Sequence, residues 1–483
     1  MFEPTPPHNF EIEMGLLAAL MSSPRAFDRI CNTTQVEHFA DDRHQAIYEA
    51  IATLSIKGKQ VNAATLKTYF DASGTLADIG GTEYLARLQA SAVTLINVED
   101  YAAMLRDLWQ RRTLMSLAVD LKATAAAPVF DSSADELIEQ VMLDLEDVRS
   151  SSETGALASI DAAMESGYEM ADEAHKRGGG LIGIPTGFID IDEAMGGLEP
   201  GAVYVVAGRP SMGKSALALW MAWQAGRWMA NNPVPWDKES KPGAGVYFAS
   251  LEMTTVEFGY RLLGPLAGVP PFNMRTGKTN MEDFTRLAEA RQAFRGVNLN
   301  IDQTPAQSIS TIRARARAMK RRKGLGLIVV DHIGLMHASR EAFKQGRLAV
   351  VSEITAGLKQ LAKELNVPVV ALSQLSRTVE SRENKRPQLS DLRDSGTIEQ
   401  DADVVMFCYR HAYYLERSKP ERQPGENDAK WNERFDNWAQ ALDHVKDLGE
   451  VLIAKQRNGP VKDISMHFDG QMVRFSSLAK DAS

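Results

Sequence analysis

The run Gly208-Arg-Pro-Ser-Met-Gly-Lys-Ser215 sets two glycines, a lysine and a hydroxyl at the spacing of a phosphate-binding loop. The chemistry is that of holding a triphosphate. Gly208 and Gly213 let the backbone wrap closely, so that N–H groups from Ser211, Met212, Gly213, Lys214, Ser215 and Ala216 face phosphate oxygens. Lys214 reaches the β- and γ-phosphates, and the Ser215 hydroxyl ligates Mg²⁺. The setting agrees with this reading. Apolar Val203–Ala207 reads as a buried strand before the loop, and Leu217, Trp220 and Met221 mark one face of a helix after it.

Hydrolysis of ATP calls for further groups. An acid must support the metal from the end of an adjacent strand, and Leu327-Ile-Val-Val-Asp331 supplies Asp331. A second acid must orient the attacking water. Glu252 follows the apolar run Val246–Ala249, which is expected to neighbour the loop strand. Helix capping is the plainer use for Glu252, but Thr254 and Glu257 already form a capping box for the next helix. Gln374 ends the run Val367–Leu372 and reads equally as a γ-phosphate sensor or a strand-end amide.

These residues need a scaffold of 483 residues, of which 44 % are hydrophobic and 24 % charged, as in soluble globular proteins. That length predicts several domains. Residues 1–150 read as an all-α domain: Tyr101, Met104, Leu105, Leu108, Leu117 and Leu121 recur at helical spacing after Asn97, an N-cap candidate. Ser73-Gly74 and Gly80-Gly81 mark turns. Residues 151–183 read as a linker carrying the helix Ile160–Arg177, whose Met164, Tyr168 and Met170 need a partner surface. Residues 184–483 alternate helices with the apolar runs Val203–Ala207, Val246–Ala249, Leu327–Val330, Val367–Leu372, Val404–Cys408 and Val451–Ala454. Such unbroken runs predict an α/β domain with a mainly parallel sheet and its ligand at the carboxyl strand ends. Two polar stretches, Asn231–Gly245 and Glu416–Gly449, read as surface insertions. Cys31 and Cys408 suggest neither a disulfide framework nor a zinc ribbon. No signal peptide or membrane-spanning run is apparent, so the cytoplasm is the expected location. The net charge of −9 is an average that leaves DNA binding open. The cluster Arg313, Arg315, Arg317 and Lys320–Lys323 reads as a solvated helix face rather than a DNA contact.

Taken in order, the motifs resemble those of replicative DNA helicases of the DnaB type, hexameric motors with a RecA-like ATPase domain. Beyond the phosphate loop they are Ser250-Leu-Glu-Met253, the strand ending at Asp331, Ala371-Leu-Ser-Gln-Leu-Ser-Arg377, and Ser390-Asp-Leu-Arg-Asp-Ser-Gly396 running into Ile398-Glu-Gln-Asp-Ala-Asp403. Ile453-Ala-Lys-Gln-Arg-Asn-Gly-Pro460 and Gly80-Gly-Thr-Glu-Tyr-Leu85 complete the set. The resemblance implies that Lys455 and Arg457 are finger residues that reach a neighbouring subunit's nucleotide; on composition alone they read as a basic strand end. It implies that Arg261 lies against the nucleotide base. It further implies that Arg393, Asp394 and Gly396 belong to a channel loop on the single-strand backbone, and that Ile160–Arg177 docks on a neighbour. The implied cofactors are ATP and Mg²⁺. The implied partners are further copies in a homohexamer, single-stranded DNA, a primase and a helicase loader.

The chain departs from the family pattern in places. His332-Ile-Gly334 stands where tyrosine and later glutamine are common, Asp394 where glutamate is usual, and Val461-Lys-Asp463 where small residues follow the finger. The expected activity is ATP-driven translocation in the 5′→3′ direction with duplex unwinding at the replication fork. The alternatives are a RecA-like recombinase filament protein and an interaction scaffold with a degenerate ATPase.

Overall fold

The structure is a computed structural model that describes residues 5–31, 33–91, 98–126, 160–176, 181–237, 240–392 and 395–478, with scattered positions between 134 and 148. It divides into two compact units, Met1–Gly167 and Tyr168–Ser483.

Among its described residues the first unit is all helix: Phe10–Ser22, Pro24–Ile30, Asp42–Ile56, Ala63–Ser73, Gly81–Ala90 and Val98–Ala126. Asn9, Asp41 and Asn62 cap three of these by accepting backbone N–H bonds, as short polar side chains do best. Gly74, at φ 74°, ends one helix, and Gly80, at φ 91°, precedes the next, so both expected turns are present. The core gathers Leu16, Leu17, Ile47, Ile51, Leu66, Leu85 and Leu105. The long helix does not bury the stripe expected of it. Tyr101, Met104 and Leu121 are exposed, and the buried residues are Val98, Ala102 and Leu105. Its first turns pack on the domain, whereas no residue from 110 to 126 is buried. Asn97, its expected cap, lies outside the described residues.

The second unit carries a nine-stranded sheet in the order β3-β2-β4-β5-β1-β6-β7-β8-β9. The strands are β1 Val203–Gly208, β2 Gly245–Ser250, β3 Leu299–Asp302, β4 Leu325–Asp331, β5 Val369–Gln374, β6 Val404–Tyr409, β7 Leu448–Gln456, β8 Lys462–Asp469 and β9 Arg474–Ser477. From β3 to β6 all neighbours are parallel. β7, β8 and β9 add antiparallel strands at one edge. Helices must cover both faces of such a parallel sheet, and β1, β2, β4 and β6 are buried along their whole lengths. All six expected runs form strands; β3, β8 and β9 were not foreseen. The stretch 416–449 holds the helix Asp428–Val445, which has no fully buried residue and is tied down where Trp438 Nε1–H donates to the Leu415 carbonyl at 2.8 Å.

The helical unit also buries a polar chain. Glu13 is fully buried, with Oε2 2.6 Å from His44 Nδ1, while His44 Nε2 lies 2.6 Å from the Tyr84 hydroxyl. Glu13 Oε1 also accepts the Ala40 N–H at 2.8 Å. Removing one member strands the others without water. Glu13→Ala is expected to destabilise this unit by about 2–3 kcal/mol, read as a lower midpoint of urea unfolding.

Candidate nucleotide-binding site

β1 delivers the chain to the loop, and the helix Lys214–Met229 leaves it. The loop backbone takes left-handed values at Ser211 (φ 68°) and at Gly213 (φ 90°). Gly213 is needed for space as well: a Cβ there would stand 2.6 Å from the Phe475 ring. The free N–H groups of the helix start turn toward the loop concavity, which favours an anion. Arg209 is not free for phosphate. It is buried, with Nε–H donating to Glu380 Oε1 at 2.8 Å and Nη1–H to the Leu375 carbonyl at 2.9 Å. It anchors the loop to the exit of β5.

The two acids were expected on strands beside β1, and that is not the arrangement. β5 separates β1 from Asp331 on β4, and both β5 and β4 separate it from β2. The acids still converge, because parallel strands end together. Ser250 pairs with Asp331, and Leu251 N–H donates to the Asp331 carbonyl at 2.6 Å. Ser250 Oγ–H donates to the Met253 carbonyl at 2.7 Å and Oγ accepts the Met253 N–H at 3.2 Å, so the turn carrying Glu252 is pinned. Lys214 Nζ then lies 3.6 Å from both Glu252 Oε2 and Asp331 Oδ1. The Thr254–Glu257 capping box is present, and Glu252 is not part of it. His332 closes the group with Nε2 3.4 Å from Glu252 Oε1. Burial, and then the Lys214 ammonium, push its imidazole below the ordinary histidine range.

Asp331 is fully buried, and neither carboxylate oxygen has a hydrogen-bond partner. A buried carboxylate without donors suits a cation. Among the described residues no group of three His, Cys, Asp or Glu side chains could hold a metal by itself. A divalent ion at Asp331 would draw its other oxygens from Ser215, phosphate and water, which is the habit of Mg²⁺.

A cavity of about 450 Å³ opens over the loop, lined by Ser211, Gly213, Lys214, Ser215 and Ala216 and, across from them, by Glu252, Arg261 and Gln374. Gln374 is held abreast of Gly208 by the β1–β5 register. Gly208 ends β1, and Met212 packs into the core, so neither lends a side chain to the cavity. Four lining residues escaped sequence reading: Arg410, Phe468, Gly470 and Val473. Arg410 sits 3.9 Å over the Phe468 ring and donates to the Ser211 carbonyl at 3.3 Å. Its signal was its place just beyond β6, the other neighbour of β1. Lys214, Arg261 and Arg410 together make the cavity cationic, as a polyphosphate requires.

Residues 183–477 match the family model of the DnaB-like helicase C terminal domain, and residues 5–107 that of the DnaB-like helicase N terminal domain. The chain belongs to the DnaB-like helicase family. The replicative DNA helicase DnaB of Rickettsia typhi is 37% identical over 475 residues, covering 98% of this chain and 93% of that one. Its counterpart in Geobacillus stearothermophilus is 34% identical over 478 residues, covering 99% and 96%. A solved DnaB-like replicative helicase, described with its interactions with primase, superposes with a TM-score of 0.67 at 28% identity, covering 97% of this chain and 100% of that chain. A second solved structure, described as an ATPase domain, gives 0.55 at 32% identity, covering 67% of this chain and 100% of that chain. Membership places the chain among ATP-hydrolysing helicases of the replicative DnaB type and gives the recombinase alternative no support.

No described residue of the segments 390–403 and 453–460 lines the cavity. Val404 pairs with Tyr204 at the start of β1 and with Gln456 on β7, so Lys455 and Arg457 stand at the opposite end of β1 from the loop. Six residues of strand, roughly 17 Å, intervene. Lys455 donates to the carbonyls of Glu399 and Ala402, and Arg457 to that of Gln400 at 2.6 Å. Arg393 and Asp394 lie outside the described residues; Gly396 is exposed in the helix Ser395–Asp401. The basic cluster is largely committed within the chain. Arg313 and Arg317 pair with Glu364, Arg315 with Asp302, and Lys320 with the Leu365 carbonyl. On the helix Ile160–Lys176, Met164 and Tyr168 are exposed; the side chain of Met170 is outside the described set.

Replacing Gly213 by valine asks a β-branched residue to hold a left-handed φ against Phe475. Fluorescent-nucleotide titration should show binding weakened by about tenfold or more, since such strain costs about 1–3 kcal/mol.

Proposed function

We propose that this chain is a replicative helicase that assembles as a homohexameric ring, encircles single-stranded DNA, moves 5′→3′ on it and separates the duplex at the fork. One observation supports this reading most. The phosphate loop and the finger strand occupy opposite ends of β1, so Arg457 stands away from its own loop, which supports a role at a neighbour's. Ring assembly then becomes a condition of hydrolysis.

We assign the roles within one site as follows. Lys214 neutralises charge on the β- and γ-phosphates as it leaves its shared place between Glu252 and Asp331. Ser215 and Asp331 would hold Mg²⁺, which would offset phosphate charge when bound. Glu252 orients the attacking water and takes its proton. Gln374, abreast of Gly208, senses the γ-phosphate, and Arg261 lies against the base. A neighbour's Arg457, with Lys455 beside it, stabilises charge developing in the transition state. Arg393, Asp394 and Gly396 hold the DNA backbone without reading bases.

Residues 1–150 serve as a ring collar that recruits primase, 151–183 as a linker whose helix docks on the next subunit, and 184–483 as the motor. The similarity to a replicative helicase described with primase supports that partner. A helicase loader and a cytoplasmic setting belong to the same reading. Among the described residues no helix is long and apolar enough to cross a membrane.

Lys214→Ala and Arg457→Ala should each lower DNA-stimulated ATP hydrolysis, by about a thousandfold for the arginine. Mixing the two variants should restore a measurable part of it, because a Lys214→Ala subunit supplies Arg457 to an intact loop next door. Normal hydrolysis by Arg457→Ala alone would remove the finger assignment.

A further inference from the structure

We infer that His332 is a positioning residue that aims the Glu252 carboxylate, and that position 334 is glycine because the imidazole occupies the space a side chain would need. The inference rests on the reading of Glu252 as the group that orients water. The backbone N–H of Gly334 donates to His332 Nδ1 at 2.9 Å. An Nδ1 that accepts has no proton, so in the neutral ring the proton sits on Nε2. Nε2 is the atom that faces Glu252 Oε1, at 3.4 Å. The proton-bearing nitrogen therefore faces a carboxylate oxygen, and one backbone amide two residues along fixes which nitrogen that is.

The other half of the arrangement is steric. A Cβ on Gly334 would stand 2.5 Å from His332 Cε1 and 3.0 Å from Nδ1. Gly334 has no left-handed φ, so the requirement is one of space. The ring is mostly buried, with a side-chain exposure of 9 %, against 40 % for Glu252. A half-exposed glutamate on a turn has many rotamers. Here its two oxygens face different groups, Oε1 toward His332 at 3.4 Å and Oε2 toward Lys214 at 3.6 Å. When Lys214 turns to phosphate, His332 is the contact that remains. His332 also borders a small cavity with Gln374 and Arg347, which places it between the water-orienting acid and the γ-phosphate sensor.

The test is a double-mutant cycle on the full chain, read as DNA-stimulated ATPase with nucleotide affinity followed separately. His332→Phe keeps the ring volume and removes the donor. It should lower kcat by about tenfold to a hundredfold and leave KM for ATP within about twofold, the mark of a misaligned group rather than lost binding. His332→Gln restores an N–H donor and should recover most of the rate. Gly334→Ala should reproduce the loss when His332 is present and add nothing in the His332→Ala background. Wild-type kcat in His332→Phe, a loss confined to KM, or additive effects at 332 and 334 would each overturn the inference. Glu252→Gln separates the two readings. If it hydrolyses ATP normally, the role of Glu252 itself is wrong. If it is inactive while His332→Phe is normal, only the positioning role is wrong.

Discussion

A carboxylate buried without a hydrogen-bond donor is the constraint around which the second unit is arranged. Both oxygens of Asp331 lie at the carboxyl end of β4 with no hydrogen-bond partner. Desolvating such a charge costs several kcal/mol, and the nearest compensation in the chain is Lys214 at 3.6 Å, shared with Glu252. That distance is too long for a direct hydrogen bond. The cluster is left with excess negative charge and a lysine that is not fully committed. On the proposed reading a magnesium-bound triphosphate would satisfy both, since Asp331 would hold the cation and Lys214 would turn to the phosphates. The strength of this coupling comes from burial, since the same charges in water would interact weakly.

The strand order explains how distant segments reach that cluster. Sequence places the loop, Glu252, Asp331 and Gln374 over more than 160 positions, yet parallel strands put every carboxyl end on one edge. The same geometry excludes β7 from that edge. It runs antiparallel to β6, so its carboxyl end, with Lys455 and Arg457, emerges beside the start of β1. Sheet polarity alone therefore separates the edge that carries the phosphate loop from the edge that carries Lys455 and Arg457. On the proposed reading, the second finds a use when another copy supplies the first.

Much of this was legible in the residues. Unbroken apolar runs identified six strands, since strands covered on both faces need no polar side. The loop was legible because its glycines serve backbone geometry that few other residues allow. What sequence could not give was lateral order: two acids thought to flank the loop strand are separated from it by one and two strands, and nothing local encodes that. β8 did carry a signal, with Ile464, Met466 and Phe468 buried in alternation, but its polar partners broke the continuous pattern used for the others. Arg410 and Phe468 went unread for the same reason, as they meet only when the hairpin folds over the loop. The long helix Val98–Ala126 misled differently. The face it buries is that of Val98, Ala102 and Leu105, which leaves Tyr101 and Met104 beside it exposed, and where the helix outruns its domain Leu121 is exposed as well.

On the proposed reading, the finger and the channel loop are joined by backbone rather than by a chain of side chains. Lys455 and Arg457 hold the carbonyls of Glu399, Gln400 and Ala402, which lie in or just beyond the helix Ser395–Asp401 following Arg393 and Asp394. Asp403 extends the connection. Its carboxylate accepts the Val203 N–H at 2.7 Å and Lys359 at 2.5 Å, and its carbonyl accepts the Arg457 N–H at 2.9 Å. The carbonyls of that helix end lack partners within a helix and are satisfied by these two cations. A guanidinium that swings to a neighbour's phosphate must give up or share the Gln400 carbonyl, so the free energy of nucleotide contact and that of ordering the segment behind the DNA loop are linked. Linkage is reciprocal: whatever DNA does to that helix must be felt, in equal measure, as a change in how readily the finger leaves it.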